Sequence, residues 1–299
     1  MNYGQLGTEQ FNELSQDLDC MSTCEITQLM NRLDLSVIEA VKQALPEIAK
    51  TAEEAAERIK KGGRVFYLGA GTSGRLGVLD ASECPPTFGV SDQVFIGIIA
   101  GGDTALRKAV EGAEDSDELA RRDLESYSIC DKDLVVAISA SGTAAYCISS
   151  LKKAREIGAL AVSICCNKGT LLSNYADIAI EMPTGAEVLS GSTRLRAGTA
   201  TKMALNMIST AAMIRCGKAY KNLMVDVCAT NTKLKDRAIR ITMKATGLTR
   251  EDASNLLDMS DGSIKQAIVM HETVCSAYDA KQALTAEGGF VRKAIAKLL

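Results

Sequence analysis

The chain has 299 residues, 46% apolar and 24% charged, which is ordinary globular usage and enough for a substantial core. That excludes disorder and collagen-like structure. A formal net charge of −3 without a basic cluster excludes nucleic acid as an expected partner. No stretch approaches the roughly 18 uninterrupted apolar residues of a membrane helix, and the start MNYGQLGTEQFNE lacks the basic and apolar parts of a signal peptide.

Residues 14–61 read as helices. Leu18, Ile26, Leu29, Met30 and Leu33 recur at helical spacing, and Val37, Ile38, Val41, Leu45 and Ile48 do so again. The charged TAEEAAERIKK then leads to Gly62-Gly63. From there short apolar runs follow at 65–68, 94–98, 134–138, 160–164 and 178–180, with helical patterns at 105–113, 118–126 and 145–157 between them. Continuously apolar strands alternating with amphipathic helices predict an α/β fold, a doubly wound parallel sheet covered on both faces. After Glu187 the pattern is helical to the end: 196–214, a continuation over 222–235, then short helices at 250–257, 263–271, 277–284 and 290–299. The expected domains are an N-terminal helical segment (1–61), a sheet domain (62–218) and a C-terminal helical cap (219–299).

Ten cysteines are scattered without a secretory context, so free thiols in a reducing cytoplasm are expected. Cys84, Cys130, Cys147, Cys165, Cys166, Cys216, Cys228 and Cys275 sit mostly in apolar surroundings, where a free thiol behaves as a small hydrophobe. Cys20 and Cys24 could share a helix face, but zinc would need two further ligands and His271 is the chain's single histidine. Neither a metal site nor a Ser-His triad is expected.

Ligands of doubly wound sheets bind beyond the carboxyl ends of the strands. The first strand runs into Gly69-Ala70-Gly71-Thr72-Ser73-Gly74, with dinucleotide-loop spacing. The acidic residue that would hold a ribose does not end the next strand, because Asp103 comes too late. The third strand ends in Ser139-Ala140-Ser141-Gly142-Thr143. Hydroxyls and backbone amides at two helix N-termini suit a compact phosphate, although Ser and Thr also cap helices routinely. Two acidic residues fall near turns: Glu83, before Pro85-Pro86, where the helix is expected to end, and Glu114, at the end of a helical stretch or in the turn after it. Two carboxylates in different environments can divide acid and base roles. On spacing alone either could equally be a solvated surface residue.

The string at 68–86, LGAGTSGRLGVLDASECPP, resembles the N-acetylmuramic acid 6-phosphate etherases of the sugar isomerase (SIS) superfamily, relatives of the glucokinase regulatory protein. The likeness extends to IAGGDTALRKAVEGAEDS at 99–116, GSTRLRAGTATKMALNMIST at 191–210, NLMVDVCATNTKL at 222–234, the N-terminal Thr8-Glu9 with Asn12, and the C-terminal GGFVRKA. The resemblance implies cleavage of the lactyl ether of N-acetylmuramic acid 6-phosphate to N-acetylglucosamine 6-phosphate and D-lactate, in cell-wall recycling. It implies Glu83 as proton donor and Glu114 as base, with phosphate held by Thr72, Ser73, Ser139 and Ser141 and a further contact from Lys233; Thr143, which departs from the family pattern, joins the expected phosphate-binding set through its hydroxyl. It implies no metal or organic cofactor and, by analogy with relatives that pack two SIS copies together, a homodimer.

The second loop departs from the family. Etherases typically resemble Ser-Gly-Arg-Thr-Pro-Tyr there, whereas this chain has Ser141-Gly142-Thr143-Ala144-Ala145-Tyr146. Loss of a charge-assisted contact would cost about 1.5–3 kcal/mol. A non-catalytic sugar-phosphate sensor is therefore the alternative, with an aldose–ketose phosphate isomerase as a third reading. His271 reads as a structural residue or a ring-opening acid, and Glu187 as a helix cap or a sugar contact.

Overall fold

The computed structural model describes residue 4, residues 6–227 and residues 232–299; Cys228, part of the NLMVDVCATNTKL string, lies outside them. The chain divides into two compact units, Met1–Ser82 with Gln93–Ser209, and Glu83–Asp92 with Thr210–Leu299.

The first unit opens with two helices, α1 (Thr23–Gln43) and α2 (Leu45–Lys60). A capping box starts α1: Glu25 N–H donates to Ser22 Oγ, and the Glu25 carboxylate accepts Ser22 N–H at 2.7 Å. Leu29, Val37, Ala40 and Val41 are buried on one side of α1, whereas Leu35 and Ile38 stay exposed. Five strands follow: β1 (Val65–Gly69), β2 (Phe95–Ile99), β3 (Leu134–Ile138), β4 (Leu160–Cys165) and β5 (Ile178–Glu181), in the order β2-β1-β3-β4-β5 and all parallel. The fold is the expected α/β one. Every residue of β1 and β3 is buried, which is why both read as unbroken apolar runs.

Between the strands lie α3 (Gly71–Phe88), α4 (Asp103–Arg107), α5 (Asp117–Ser126) and α6 (Ala145–Ile157), and α7 (Arg196–Arg215) follows the sheet. Phe66 and Leu68 of β1 pack with Val135 and Ala137 of β3, Leu124 of α5 and Leu151 of α6 in one buried cluster. Because β1 pairs with β2 on one side and β3 on the other, the connections leave β1 and β3 in opposite directions. Gly69 and Ile138 are register partners at this reversal, the place where open α/β sheets form their crevice.

Two expectations for α3 and α4 are corrected. The pattern at 105–113 supports only α4: Arg75 donates to Ala105 C=O at 2.7 Å and Leu106 C=O at 3.0 Å, occupying carbonyls the next turn would use. Gly112 then takes φ +73°. The helix carrying Glu83 does not end at Pro85-Pro86 but runs to Phe88. Two N–H donors are lost, yet proline's fixed φ is itself helical, and Gly89 N–H closes the last turn on Pro85 C=O at 2.9 Å.

In the second unit, β6 (Ala219–Tyr220) and β7 (Leu223–Met224) form a short antiparallel pair, where the pattern had suggested continued helix. Helices α8 (Thr232–Thr246), α9 (Arg250–Met259), α10 (Ile264–Thr273), α11 (Ala277–Ala286) and α12 (Val291–Leu298) follow. Leu257, Ile268, Ala280, Leu284 and Val291 belong to its core. Asp226 pairs with Lys265 at 2.5 Å and Lys218 at 3.2 Å. Among the described residues, no helix is long and apolar enough to cross a membrane.

Candidate active site

A cavity of about 260 Å³ lies at the reversal, lined wholly by the first unit. Its floor is the pair of loops that leave β1 and β3. Thr72 and Ser73 come from the first turn of α3, Ser139 and Ser141 from the loop before α6, and all four line the cavity. The first loop needs close approach: a Cβ at Gly74 would lie 2.4 Å from Gly69 C=O and 2.7 Å from Ile99 Cγ1. A larger residue there would lift the start of α3 off β1.

Hydroxyls shape the second loop. Gly142 N–H donates to Ser139 C=O at 3.0 Å and lies 3.2 Å from Ser139 Oγ. Ser141 Oγ is 3.4 Å from Ser139 Oγ and 2.8 Å from Thr143 Oγ1. Thr143 is thus the half-buried partner of Ser141 rather than part of the cavity wall. Asn167, which follows β4, braces this loop by donating to Ala140 C=O at 3.2 Å and Ser141 C=O at 3.3 Å. The first turns of α3 and α6 add their dipoles, so the floor presents positive potential without a cation. Among the described residues lining the cavity, none is a lysine or arginine.

Glu114 also lines the cavity, from the turn between α4 and α5. Its own C=O accepts Tyr146 N–H at 3.0 Å, filling a vacancy at the start of α6, where Ala144 offers no capping side chain. Ser116 fixes the other end by accepting Leu119 N–H at 3.2 Å. The residue is exposed overall, yet the surrounding protein removes enough water from its carboxyl to push it above the usual carboxylate range, and Asp115 adds repulsion. Burial likewise pushes the nearby Cys147 thiol up to about 12, with the charge of Glu114 contributing.

Glu83 and Lys233 are not in the cavity lining. Glu83 is exposed on α3, about three turns beyond Thr72, and belongs to the second unit. Lys233 is exposed in the first turn of α8. Glu187 proves to be a helix cap: wholly buried, it accepts Arg196 N–H and Ala197 N–H at 3.0 Å each at the start of α7. His271 is half-buried in the last turn of α10. None of the nine described cysteines forms a disulfide, and among the described residues no three His, Cys, Asp or Glu side chains converge as metal ligands.

Sequence reasoning missed Glu9, Thr193 and Thr201, which line the same cavity. Thr8-Glu9 belongs to the family resemblance, and Thr193 and Thr201 both lie in the 191–210 string, but nothing in the sequence gives any of them a role.

The sheet reversal with its two hydroxyl-rich loops, together with family matches, defines the chain as an SIS-domain protein. A family model described as the glucokinase regulatory protein N-terminal SIS domain matches residues 47–155, and one described as the SIS domain matches residues 114–211. The chain is 53% identical to an N-acetylmuramic acid 6-phosphate etherase of Geobacillus sp. (strain WCH70), over 97% of this chain and 99% of that one. It is 50% identical to the etherase of Salmonella typhi over 99% of each chain. Among solved structures, a phosphoheptose isomerase from Francisella tularensis aligns with a TM-score of 0.49 at 18% identity, over 64% of this chain and 98% of that one. The chain belongs to the N-acetylmuramic acid 6-phosphate etherase family.

Proposed function

We propose that the protein is a carbon–oxygen lyase that cleaves the lactyl ether of N-acetylmuramic acid 6-phosphate. The phosphate rests on Thr72, Ser73, Ser139 and Ser141, with Thr143 holding Ser141. In the open-chain sugar the carbonyl acidifies the proton on carbon 2, and Glu114 removes it. The electron pair forms the double bond between carbons 2 and 3 as the carbon 3–oxygen bond breaks. Glu83, assigned through its match to the family's ASECPP string, gives its proton to the departing lactate oxygen. Water then adds to the unsaturated aldehyde, its hydroxyl at carbon 3 and a proton at carbon 2, giving N-acetylglucosamine 6-phosphate and D-lactate. Lys233 is an additional phosphate contact in this reading.

The observation that carries it is Glu114 beside the hydroxyl cradle in one cavity, its carboxyl held above the ordinary range. A base is strongest where its conjugate acid has been weakened. We further infer a homodimer, supported by the exposed Leu35 and Ile38 of α1, 69% and 54% accessible. Free thiols support the cytoplasm as its home.

The test is D-lactate release from N-acetylmuramic acid 6-phosphate. Wild type releases it, and Glu83→Ala and Glu114→Ala are each slower by about 10²–10⁴, the scale of a lost general acid or base. Tight sugar-phosphate binding by wild type without lactate release would instead make the protein a sensor.

A further inference from the structure

The cavity contains a second carboxylate that the reaction above does not use. Glu9 lines it from a 3₁₀ turn, Gly7–Glu9, near the start of the chain. This N-terminal strap is pinned at two places. Thr8 is wholly buried, its N–H donating to Asn167 Oδ1 at 3.2 Å and its Oγ1 accepting Asn167 Nδ2 at 3.0 Å. Asn12 Nδ2 donates to Ala186 C=O at 3.1 Å. The Asn167 side chain that grips Thr8 is the same one that braces the Ser139–Ser141 loop, so a single amide sets the strap against the phosphate cradle. On the far side, a Cβ at Gly191 would stand 3.8 Å from Glu9 Oε2, which places the carboxylate beside the turn that precedes α7.

Glu9 has almost nothing to bond to. Among the described residues, its carboxylate accepts one hydrogen bond, from the Thr8 hydroxyl at 3.5 Å, and pairs with no lysine or arginine. An ionised carboxylate only accepts hydrogen bonds. Beside a phosphate it repels, so it can contribute to binding only through groups that donate. A sugar phosphate brings such donors as its hydroxyls and amide N–H. The cavity thus offers donors for the anion and a pinned acceptor for the sugar.

We propose that Glu9 is a substrate-binding residue that accepts hydrogen bonds from the sugar's hydroxyl or amide groups and so selects sugar phosphates over other phosphate ligands. The proposal rests on the sugar-phosphate reading of the site and deepens it. Binding of N-acetylglucosamine 6-phosphate and of inorganic phosphate, measured by calorimetry on wild type, Glu9→Ala, Glu9→Gln and Thr8→Val, separates the cases. The sugar phosphate should bind Glu9→Ala about tenfold or more weakly, as loss of a hydrogen bond to a charged group requires. Inorganic phosphate should bind unchanged or tighter, because a like charge has gone. Glu9→Gln should fall between, and Thr8→Val should follow Glu9→Ala in direction. KM for lactate release should rise with the sugar-phosphate dissociation constant. Equal weakening of both ligands overturns the proposal, since the strap would then be merely structural, and so does no change in either. Wild type that binds the sugar phosphate yet releases no lactate overturns the etherase reading while leaving the Glu9 comparison intact. Wild type that does not bind it overturns both.

Discussion

Gly142→Ala is the sharpest test of how the second loop is built. Gly142 has φ +76°, a left-handed backbone that costs an L-residue about 1–2 kcal/mol. A Cβ there would also lie 2.4, 2.5 and 2.6 Å from Cβ, Cγ2 and Oγ1 of Thr170. Thr170 cannot simply yield. It is 1% exposed, and its Oγ1 lies 2.9 Å from Ser173 Oγ and accepts Ser173 N–H at 3.2 Å. Overpacking of this kind costs about 1–3 kcal/mol, so the substitution should destabilise by about 2–5 kcal/mol. Urea midpoints multiplied by the m-value read this directly. In a double-mutant cycle, Thr170→Gly should recover the steric part, a coupling of about 1–3 kcal/mol, and leave the backbone part. KM for the sugar phosphate should rise as well, because Gly142 holds Ser139 by its N–H and Leu172 by its C=O, both at 3.0 Å. A Gly142→Ala variant within about 0.5 kcal/mol of wild type, or one showing no coupling to Thr170, would refute the reasoning.

Other outcomes follow from the same geometry. If Glu114 is the base, lactate release falls as pH drops through its raised pKa, and Asp115→Asn, by removing a like charge, moves that acid limb of kcat/KM to lower pH. Asp133 is wholly buried and accepts from Arg64 N–H at 2.8 Å, Arg64 Nη2 at 2.7 Å and Cys130 N–H at 3.0 Å, so Asp133→Ala should cost about 3–5 kcal/mol in denaturant melts. Arg64 and the backbone amides hold that carboxyl below its ordinary range despite burial; its contribution is therefore complete above about pH 4 and is lost as pH falls further, a slope absent from Asp133→Asn. Glu187→Ala should cost at least the roughly 1–2 kcal/mol of a lost N-cap, read as a lower melting temperature, because two amides at the start of α7 lose their acceptor.

What the sequence made legible followed from how local the cause was. The strands were visible because β1 and β3 are buried on both faces and so carry no charged residues. The two hydroxyl loops were visible because each directly follows such a run. The end of α4 was not, since it depends on a guanidinium from α3 taking two carbonyls. Pro85-Pro86 misled because the usual effect on the preceding residue is a preference rather than a prohibition. Glu187 could be sorted from a ligand contact only by finding the two amides it accepts. Glu9 was the most hidden: a three-residue turn has no periodicity, and its place depends on Thr8 meeting Asn167 across a sequence separation of 159.

The absence of cations among the described lining residues bears on the base. A lysine or arginine would grip phosphate strongly, but its charge would also stabilise the ionised form of any neighbouring carboxyl and depress the pKa. That would weaken the group that must take a proton from carbon. Dipoles at the starts of α3 and α6, with serine and threonine hydroxyls, supply an anion cradle whose field acts mainly within the first helical turn. The phosphate grip supplied by the cavity wall itself therefore leaves the basicity of Glu114 intact. Thr143 fits this division: its neutral hydroxyl lies 2.8 Å from Ser141 Oγ and orients it without adding a charge to the loop.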